Sequence, residues 1–170
     1  MGKQPAHRRS GLWVMLFMAS LAVLAQDTKQ SRKGTSLWQP GDVGERLNIS
    51  GWVRSPYGEP IAGAVVHVRQ ADADGNNNVD RYQASLITDE DGKYGFGTVL
   101  PGQHYGVILM HIHVLVTHDD YQPLEARILF ANDPNLDPSV KRDNVVFLEQ
   151  ASVEGEALLF GRFNIVLQPN

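Results

Sequence analysis

Residues 51–68, GWVRSPYGEPIAGAVVHV, carry the clearest fold signal, because two apolar segments flank a turn rich in Pro and Gly. Residues 88–102, TDEDGKYGFGTVLPG, repeat this arrangement with an Asp-Gly hairpin followed by a Pro-Gly turn. Similar short apolar runs continue from Leu47 to the C-terminus, divided by Pro, Gly, Asn and Asp, and none has sustained helical spacing. Strands at this spacing predict an all-β domain, an antiparallel β-sandwich.

The composition narrows the classes of protein that remain. The chain has 170 residues, enough for one domain with a hydrophobic core and too few for two ordinary ones. Its formal net charge of -4 is mixed in sign along the chain, so we expect no nucleic-acid partner. The chain contains no cysteine, which excludes disulfide bonds, thiolate metal ligands and a cysteine nucleophile. Any metal ion must therefore be held by nitrogen and oxygen ligands.

The N-terminus has the pattern of a targeting segment. A basic start is followed by the apolar run GLWVMLFMASLAVLA, which is short for a membrane span and ends in small residues. We predict a signal peptide over 1–25, cleaved after Ala25, and export to the periplasm or the extracellular space without stable membrane insertion afterwards. An uncleaved membrane anchor is the alternative. Residues 26–46 are polar and predict a flexible lead-in to a domain over 47–170.

Two histidines one residue apart, His111 and His113, interrupt the apolar run VILMHIHVLV. In a β-strand, residues i and i+2 point to the same face about 6 to 7 Å apart, so both imidazoles can converge on one ion while Ile112 faces the other way. Neutral imidazoles suit iron, copper or zinc better than calcium or magnesium. The alternative is an ordinary half-buried strand that happens to carry two histidines.

An ordered series of motifs carries a family resemblance. GEPIAGAVV, DADGNNN, TDEDGKYGFGT, PGQHY, HIH, ILFANDP and FNIVL follow one another between residues 47 and 170. This order resembles that of the intradiol ring-cleavage dioxygenases, whose core is a transthyretin-like β-sandwich. The early part alone is equally similar to the non-catalytic, transthyretin-like modules found beside carboxypeptidases.

The resemblance implies a cofactor, a reaction and a set of ligands. The family holds a non-haem ferric ion, Fe(3+), through two histidines and two tyrosines, and uses O2 to cleave a catechol-type aromatic diol between its two hydroxyl-bearing carbons. Carried over by position, His111 and His113 are the histidine ligands, and Tyr105 is the retained tyrosine, both metal ligand and catalytic residue. The implied partners are a small aromatic diol and O2, and a homodimer is an open alternative for the assembly.

The sequence also departs from the family pattern. Asn77 stands where the displaceable tyrosine is expected, and an amide cannot be an anionic ligand or take up a catechol proton. Ile108 replaces an arginine that contacts substrate in the family. Tyr82 and His104 are therefore candidates for an additional ligand or substrate contact. The physical consequence is a site of three ligands, made by the histidine pair with either Tyr105 or His104.

Two functions remain open on the sequence alone. The first is an exported non-haem iron dioxygenase that performs intradiol ring cleavage. The second is a catalytically degenerate sandwich that serves as an exported metal-, carbohydrate- or protein-binding module. Arg81 and Arg127 are the arginines that could compensate for the missing one, with a solvated surface position as the alternative for each.

Overall fold

The computed structural model describes residues 35–77, 81–104, 109–137, 139–140 and 142–170. Within these ranges eleven strands and one short 3-10 helix, Arg142–Asn144, follow one another. The strands are β1 Thr35–Ser36, β2 Arg46–Arg54, β3 Val65–Gln70, β4 Gln83–Ile87, β5 Lys93–Val99, β6 His111–His118, β7 Tyr121–Phe130, β8 Val145–Val146, β9 Glu149–Val153, β10 Glu156–Arg162 and β11 Ile165–Val166.

The strands form two sheets that pack as a sandwich. The first sheet has the order β1-β5-β2-β10-β9, with β11 also paired to β2, and the second has the order β4-β3-β6-β7-β8. The predicted all-β sandwich is thereby confirmed. The sheets are mixed rather than purely antiparallel, because β10 and β11 both run parallel to β2, β1 runs parallel to β5, and β7 runs parallel to β8.

Alternating side chains from both sheets fill the core. In β6, Ile112, Val114 and Val116 are 0 to 3% exposed, while the residues between them are more open. Gln70 joins the two sheets, since its Nε2 donates to the carbonyl of Val99 at 2.9 Å and its Oε1 accepts from Thr98 Oγ1 at 3.0 Å. A buried amide with its polar atoms bonded in this way stabilises one relative placement of the sheets.

The ordered domain begins earlier than predicted. β1 pairs with β5, and Leu37 beside it is 7% exposed within the core. Arg81 fastens the segment that follows, donating to the Leu37 carbonyl at 2.6 Å and to both oxygens of the Asp42 carboxylate. The second half of the predicted lead-in over 26–46 is thus tied to the domain by strand pairing and by Arg81. Its first half and the predicted signal peptide lie outside the described residues.

Gly51 marks a place where the first sheet tolerates no side chain. A Cβ at this position would lie 1.8 Å from the carbonyl oxygen of Phe163, in the segment between β10 and β11. The same segment is held by Tyr94, whose hydroxyl donates to the Phe163 carbonyl at 2.6 Å. Strand β2 and the C-terminal segment are therefore in direct backbone contact.

No helix in the described ranges has the length and apolarity needed to span a membrane.

Candidate metal centre

The histidine pair lies on the outer face of the second sheet. β6 alternates strictly, so the side chains of Ile112 and Val114 enter the core while those of His111 and His113 point away from it and are half-buried. The strand is central in its sheet, paired with β3 on one side and β7 on the other. The rings therefore project from a rigid part of the sandwich.

The two rings converge through their Nε2 atoms, which are 3.0 Å apart. The ring centroids are 4.6 Å apart and the planes are inclined at 75°. Two nitrogens bonded to one ion at about 2.1 Å and at a right angle to each other would be separated by about 3.0 Å. The pair thus has the separation that adjacent ligands of a single transition-metal ion require.

A backbone contact fixes the protonation of one ring. His111 Nδ1 lies 2.7 Å from the carbonyl oxygen of Leu109. Because a carbonyl can only accept, Nδ1 must carry the proton, and the lone pair of the neutral ring is then on Nε2. A hydrogen bond of this kind at the distal nitrogen is the usual support of a metal-ligating histidine.

His113 is held in the neutral form that a metal ligand needs. Burial, with smaller contributions from His111, Arg69 and Arg127, lowers its pKa from the ordinary value of 6.5 to about 4. At neutral pH this ring is therefore uncharged and carries one N–H. Since His111 Nε2 holds a lone pair, the 3.0 Å contact between the two Nε2 atoms puts that hydrogen on His113 Nε2, and a metal ion bound by both rings would displace it to Nδ1 or to solvent.

The rest of the predicted ligand set is not gathered by the described residues. Across the described ranges no group of three or more His, Asp or Glu side chains is placed to hold a metal ion. His104 Nδ1 lies 2.6 Å from the Gly75 carbonyl, and its side chain does not join the histidine pair. Tyr105, the predicted retained tyrosine, and Ile108, the predicted replacement of the arginine, lie outside the described residues.

Tyr82 is placed away from the histidine pair. It is 6% exposed and belongs to the hydrophobic core, so the second sheet separates its ring from the outer face on which the histidines lie. Burial, together with the Asp42 carboxylate, raises the pKa of its phenol. The described structure therefore does not bring Tyr82 to the histidine pair.

Asn77 is exposed in the loop after β3. The Asp72 side chain closes this loop by hydrogen bonds to backbone N–H groups. The carboxylate of Asp72 accepts from the backbone N–H of Asp74 at 3.0 Å and of Asn76 at 2.8 Å. Gly102 of the Pro-Gly turn donates to the Asp72 carbonyl at 2.8 Å, so the loop is docked on that turn. The structure gives Asn77 no contact with the histidine pair.

Asp133 is a supporting residue to which the sequence analysis assigned no role. It is 5% exposed, and one carboxylate oxygen accepts from the backbone N–H of Met110 at 2.6 Å. The other oxygen accepts from Gln103 Nε2 at 2.8 Å and from the N–H of Asn135. Asp133 thus fixes the residue immediately before His111. Its signal in the sequence is the ILFANDP motif that ends β7.

Two arginines flank the pair, and a third does not. Arg69 of β3 and Arg127 of β7 are the direct cross-strand neighbours of His113. Arg81, in contrast, is committed to Asp42 and the Leu37 carbonyl. Of the two arginines considered as replacements for the missing one, only Arg127 lies beside the histidines, and Arg69 was not anticipated.

Comparison with known proteins decides the family. A family model described as dioxygenase matches residues 19–109, more than half of the chain. The chain belongs to the intradiol ring-cleavage dioxygenase family. It is 31% identical over 159 residues to a chlorocatechol 1,2-dioxygenase from Rhodococcus opacus, covering 76% of this chain and 62% of that protein. It is also 30% identical to a protocatechuate 3,4-dioxygenase beta chain from Burkholderia cepacia, covering 74% of this chain and 66% of that one.

Solved structures of the family share the fold. A 3-chlorocatechol 1,2-dioxygenase from Rhodococcus opacus superposes with a TM-score of 0.73 at 20% identity, covering 82% of this chain and 66% of that one. The dioxygenase domain of a dioxygenase and carbohydrate-binding protein fusion from Streptomyces sp. SirexAA-E superposes with a TM-score of 0.67 at 25% identity, covering 79% and 86%. The chain spans less than two thirds of the length of the curated relatives named above.

Proposed function

We propose that this dioxygenase-family chain is a non-haem iron enzyme that opens the ring of a catechol-type diol between its two hydroxyl-bearing carbons, using O2. Family membership supports the reaction class. The observation that carries the proposal to this chain is the 3.0 Å separation of the Nε2 atoms of His111 and His113 on one face of β6. That separation suits two ligands of one ion.

The residues have the following proposed roles. His111 and His113 hold a ferric ion, and Tyr105 is the anionic oxygen ligand that stays bound while the diol reacts. Bound there, a ferric ion would supply the Lewis acidity that withdraws electron density from the diol ring. Leu109, through its carbonyl, keeps the lone pair of His111 on Nε2. Asp133 fixes the backbone of Met110, from which the histidine strand starts.

Asn77 gives this enzyme one proton acceptor fewer than the family pattern provides. An amide side chain neither ionises nor takes up a catechol proton. In this proposal the hydroxyl protons of the diol therefore leave to solvent. Ring cleavage should accordingly accelerate as the pH rises toward the first pKa of the diol.

The proposal includes export and a simple set of partners. The basic start and the short apolar run of residues 1–25 support secretion with removal of that segment. The proposed partners are an aromatic diol and O2, without nucleic acid. The proposed assembly is a homodimer. Mass spectrometry of the secreted protein tests cleavage after Ala25: removal of residues 1–25 predicts an N-terminus at Gln26.

Metal analysis combined with oxygen uptake tests the enzymatic proposal. Iron-loaded protein is supplied with catechol, hydroxyquinol or protocatechuate, beside the variants His111→Ala and His118→Ala. His118 lies at the far end of β6, where its Nδ1 accepts from the Asp120 backbone, and serves as the matched control. We expect oxygen uptake by the wild type and by His118→Ala and none by His111→Ala. Iron retention without uptake on any of the diols would contradict the enzyme and favour a binding module.

A further inference from the structure

A row of three cationic or ionisable side chains crosses the outer face of the second sheet. Arg69 of β3 pairs with His113 of β6, and His113 pairs with Arg127 of β7. Directly opposed residues share a face and have Cα atoms about 5 Å apart, so the two guanidinium groups start on either side of one imidazole. Both arginines are exposed, and the histidine between them is half-buried.

Neither arginine has a carboxylate partner in the described part of the chain. The ion pairs found there join other residues, namely Arg46 with Glu156, Arg81 with Asp42, Lys93 with Asp91 and His118 with Asp120. Glu125 is on the same strand face as Arg127, two residues away, but forms no ion pair with it. Among the described residues, the two positive charges beside the histidine pair therefore have no carboxylate in ion-pair contact.

The charges of both arginines reach the site. Each arginine is the directly opposed neighbour of His113 on an adjacent strand, so its guanidinium group can reach a ligand placed beside that ring. Such a position also falls next to the ion that the histidines would hold.

We propose that Arg69 and Arg127 form a carboxylate-binding site beside the histidine pair, so that diols bearing a carboxylate are preferred over neutral ones. Arginine matches a carboxylate with paired N–H donors, and two arginines can grip one anion from opposite sides. The arginine that the family pattern places at position 108 is absent here, and this row supplies positive charge from two neighbouring strands instead. The preference among diols rests on the proposed function, whereas anion binding itself does not.

Anion binding is tested on the iron-free protein. Benzoate and the neutral benzyl alcohol are titrated into protein labelled with 15N at histidine, and the His113 ring signals are followed by NMR. The variants are Arg69→Gln, Arg127→Gln and the double variant. Arg162→Gln is the matched control, because Arg162 is an exposed strand arginine on the first sheet.

We expect benzoate to shift the His113 signals in the wild type and in Arg162→Gln. Each single substitution should weaken benzoate binding about tenfold, the value of one charge-assisted hydrogen bond, and benzyl alcohol should cause no comparable shift. Binding should weaken as salt is added. Benzoate binding that is unchanged in the double variant, or lost equally in Arg162→Gln, would overturn the proposal.

The diol preference is measured separately on iron-loaded enzyme. Protocatechuate and catechol differ only by a carboxylate, so the ratio of their kcat/KM values isolates its recognition. Loss of the arginines should lower that ratio by about tenfold or more, chiefly through the KM of protocatechuate. Activity with an unchanged ratio refutes this inference alone. Inactive wild-type enzyme that binds benzoate through the arginines refutes the proposed function alone.

Discussion

The Nε2 atoms of His111 and His113 are 3.0 Å apart on the outer face of β6, and the Nδ1 of His111 is bonded to the Leu109 carbonyl. This relationship follows from the two-residue repeat of a strand, which puts both rings on one side. It places two ring nitrogens where they can share one ion once the hydrogen between them has moved away, at a position that a central strand holds rigidly. The proposed metal chemistry of this chain depends on that placement.

Removal of one ring should abolish tight metal binding. In a titration with Co²⁺ followed by visible absorption, His113→Ala should weaken binding by more than about 100-fold, because losing a ligand costs more than losing a supporting contact. His67→Ala is the control, since His67 lies on the same sheet face and its Nδ1 contacts Ser85 Oγ at 3.0 Å. Equal affinities of the wild type and His113→Ala would contradict the assigned role.

Asp133 should act on the metal through the backbone. Asp133→Ala frees the N–H of Met110 and the side chain of Gln103, so we expect the metal Kd to rise about tenfold, the usual effect of losing a support of the ligands. Thermal unfolding should show a lower Tm as well. Asp137→Ala is the matched control, because Asp137 accepts from the Ser139 backbone in the same loop but is exposed. A lower Tm with an unchanged metal Kd would restrict Asp133 to a structural role.

The fold class and the histidine pair could be predicted from the sequence because both depend on local periodicity. Alternation within β6 was readable from the residues themselves, as was the turn chemistry around it. The relation of Arg69 to His113 was not, because it depends on the register between β3 and β6. The burial of Tyr82 in the core could not be predicted either, since its closeness along the chain to the DADGNNN loop does not say which side of the sheet it faces.

The order of the strands at the sheet edges also could not be predicted from the sequence. β1 lies in a polar segment without periodicity, and its pairing with β5 depends on a contact made across 60 residues of chain. The parallel pairing of β10 with β2 joins the two ends of the domain. Long-range pairings of this kind are fixed by packing, as at Gly51, and not by the pattern of either strand.

The stability of the metal-free protein should depend on pH through His113. The folded state holds the pKa of this ring at about 4, below its ordinary value of 6.5. Between these values the unfolded state binds more protons, so this group destabilises the fold as the pH falls from 6.5 to 4 and has no such effect above 6.5. Comparison of Tm against pH for the wild type and His113→Gln isolates the effect. The variant should lose less stability in this window, and parallel curves would contradict the depressed pKa.

Because Gly51 lies in close contact with the Phe163 carbonyl, adding one methyl group at position 51 should lower the stability of the protein. Gly51→Ala puts a Cβ against the Phe163 carbonyl, and we expect the free energy of unfolding to fall by about 3 kcal/mol because backbone must move. Gly95→Ala is the control, since its nearest neighbour would be an ordinary contact at 3.4 Å. Urea unfolding measures both. Equal losses in the two variants would show that the Phe163 contact is not the cause.

The position of iron in the loaded protein decides whether the histidine pair is the metal centre. Anomalous diffraction at the iron absorption edge, recorded on crystals of iron-loaded protein, gives the position of the ion without reference to activity. We predict one peak within about 2.1 Å of the Nε2 atoms of both His111 and His113. A peak bound to other residues, or loaded protein without a peak at the pair, would contradict the claim that these two rings form the metal centre.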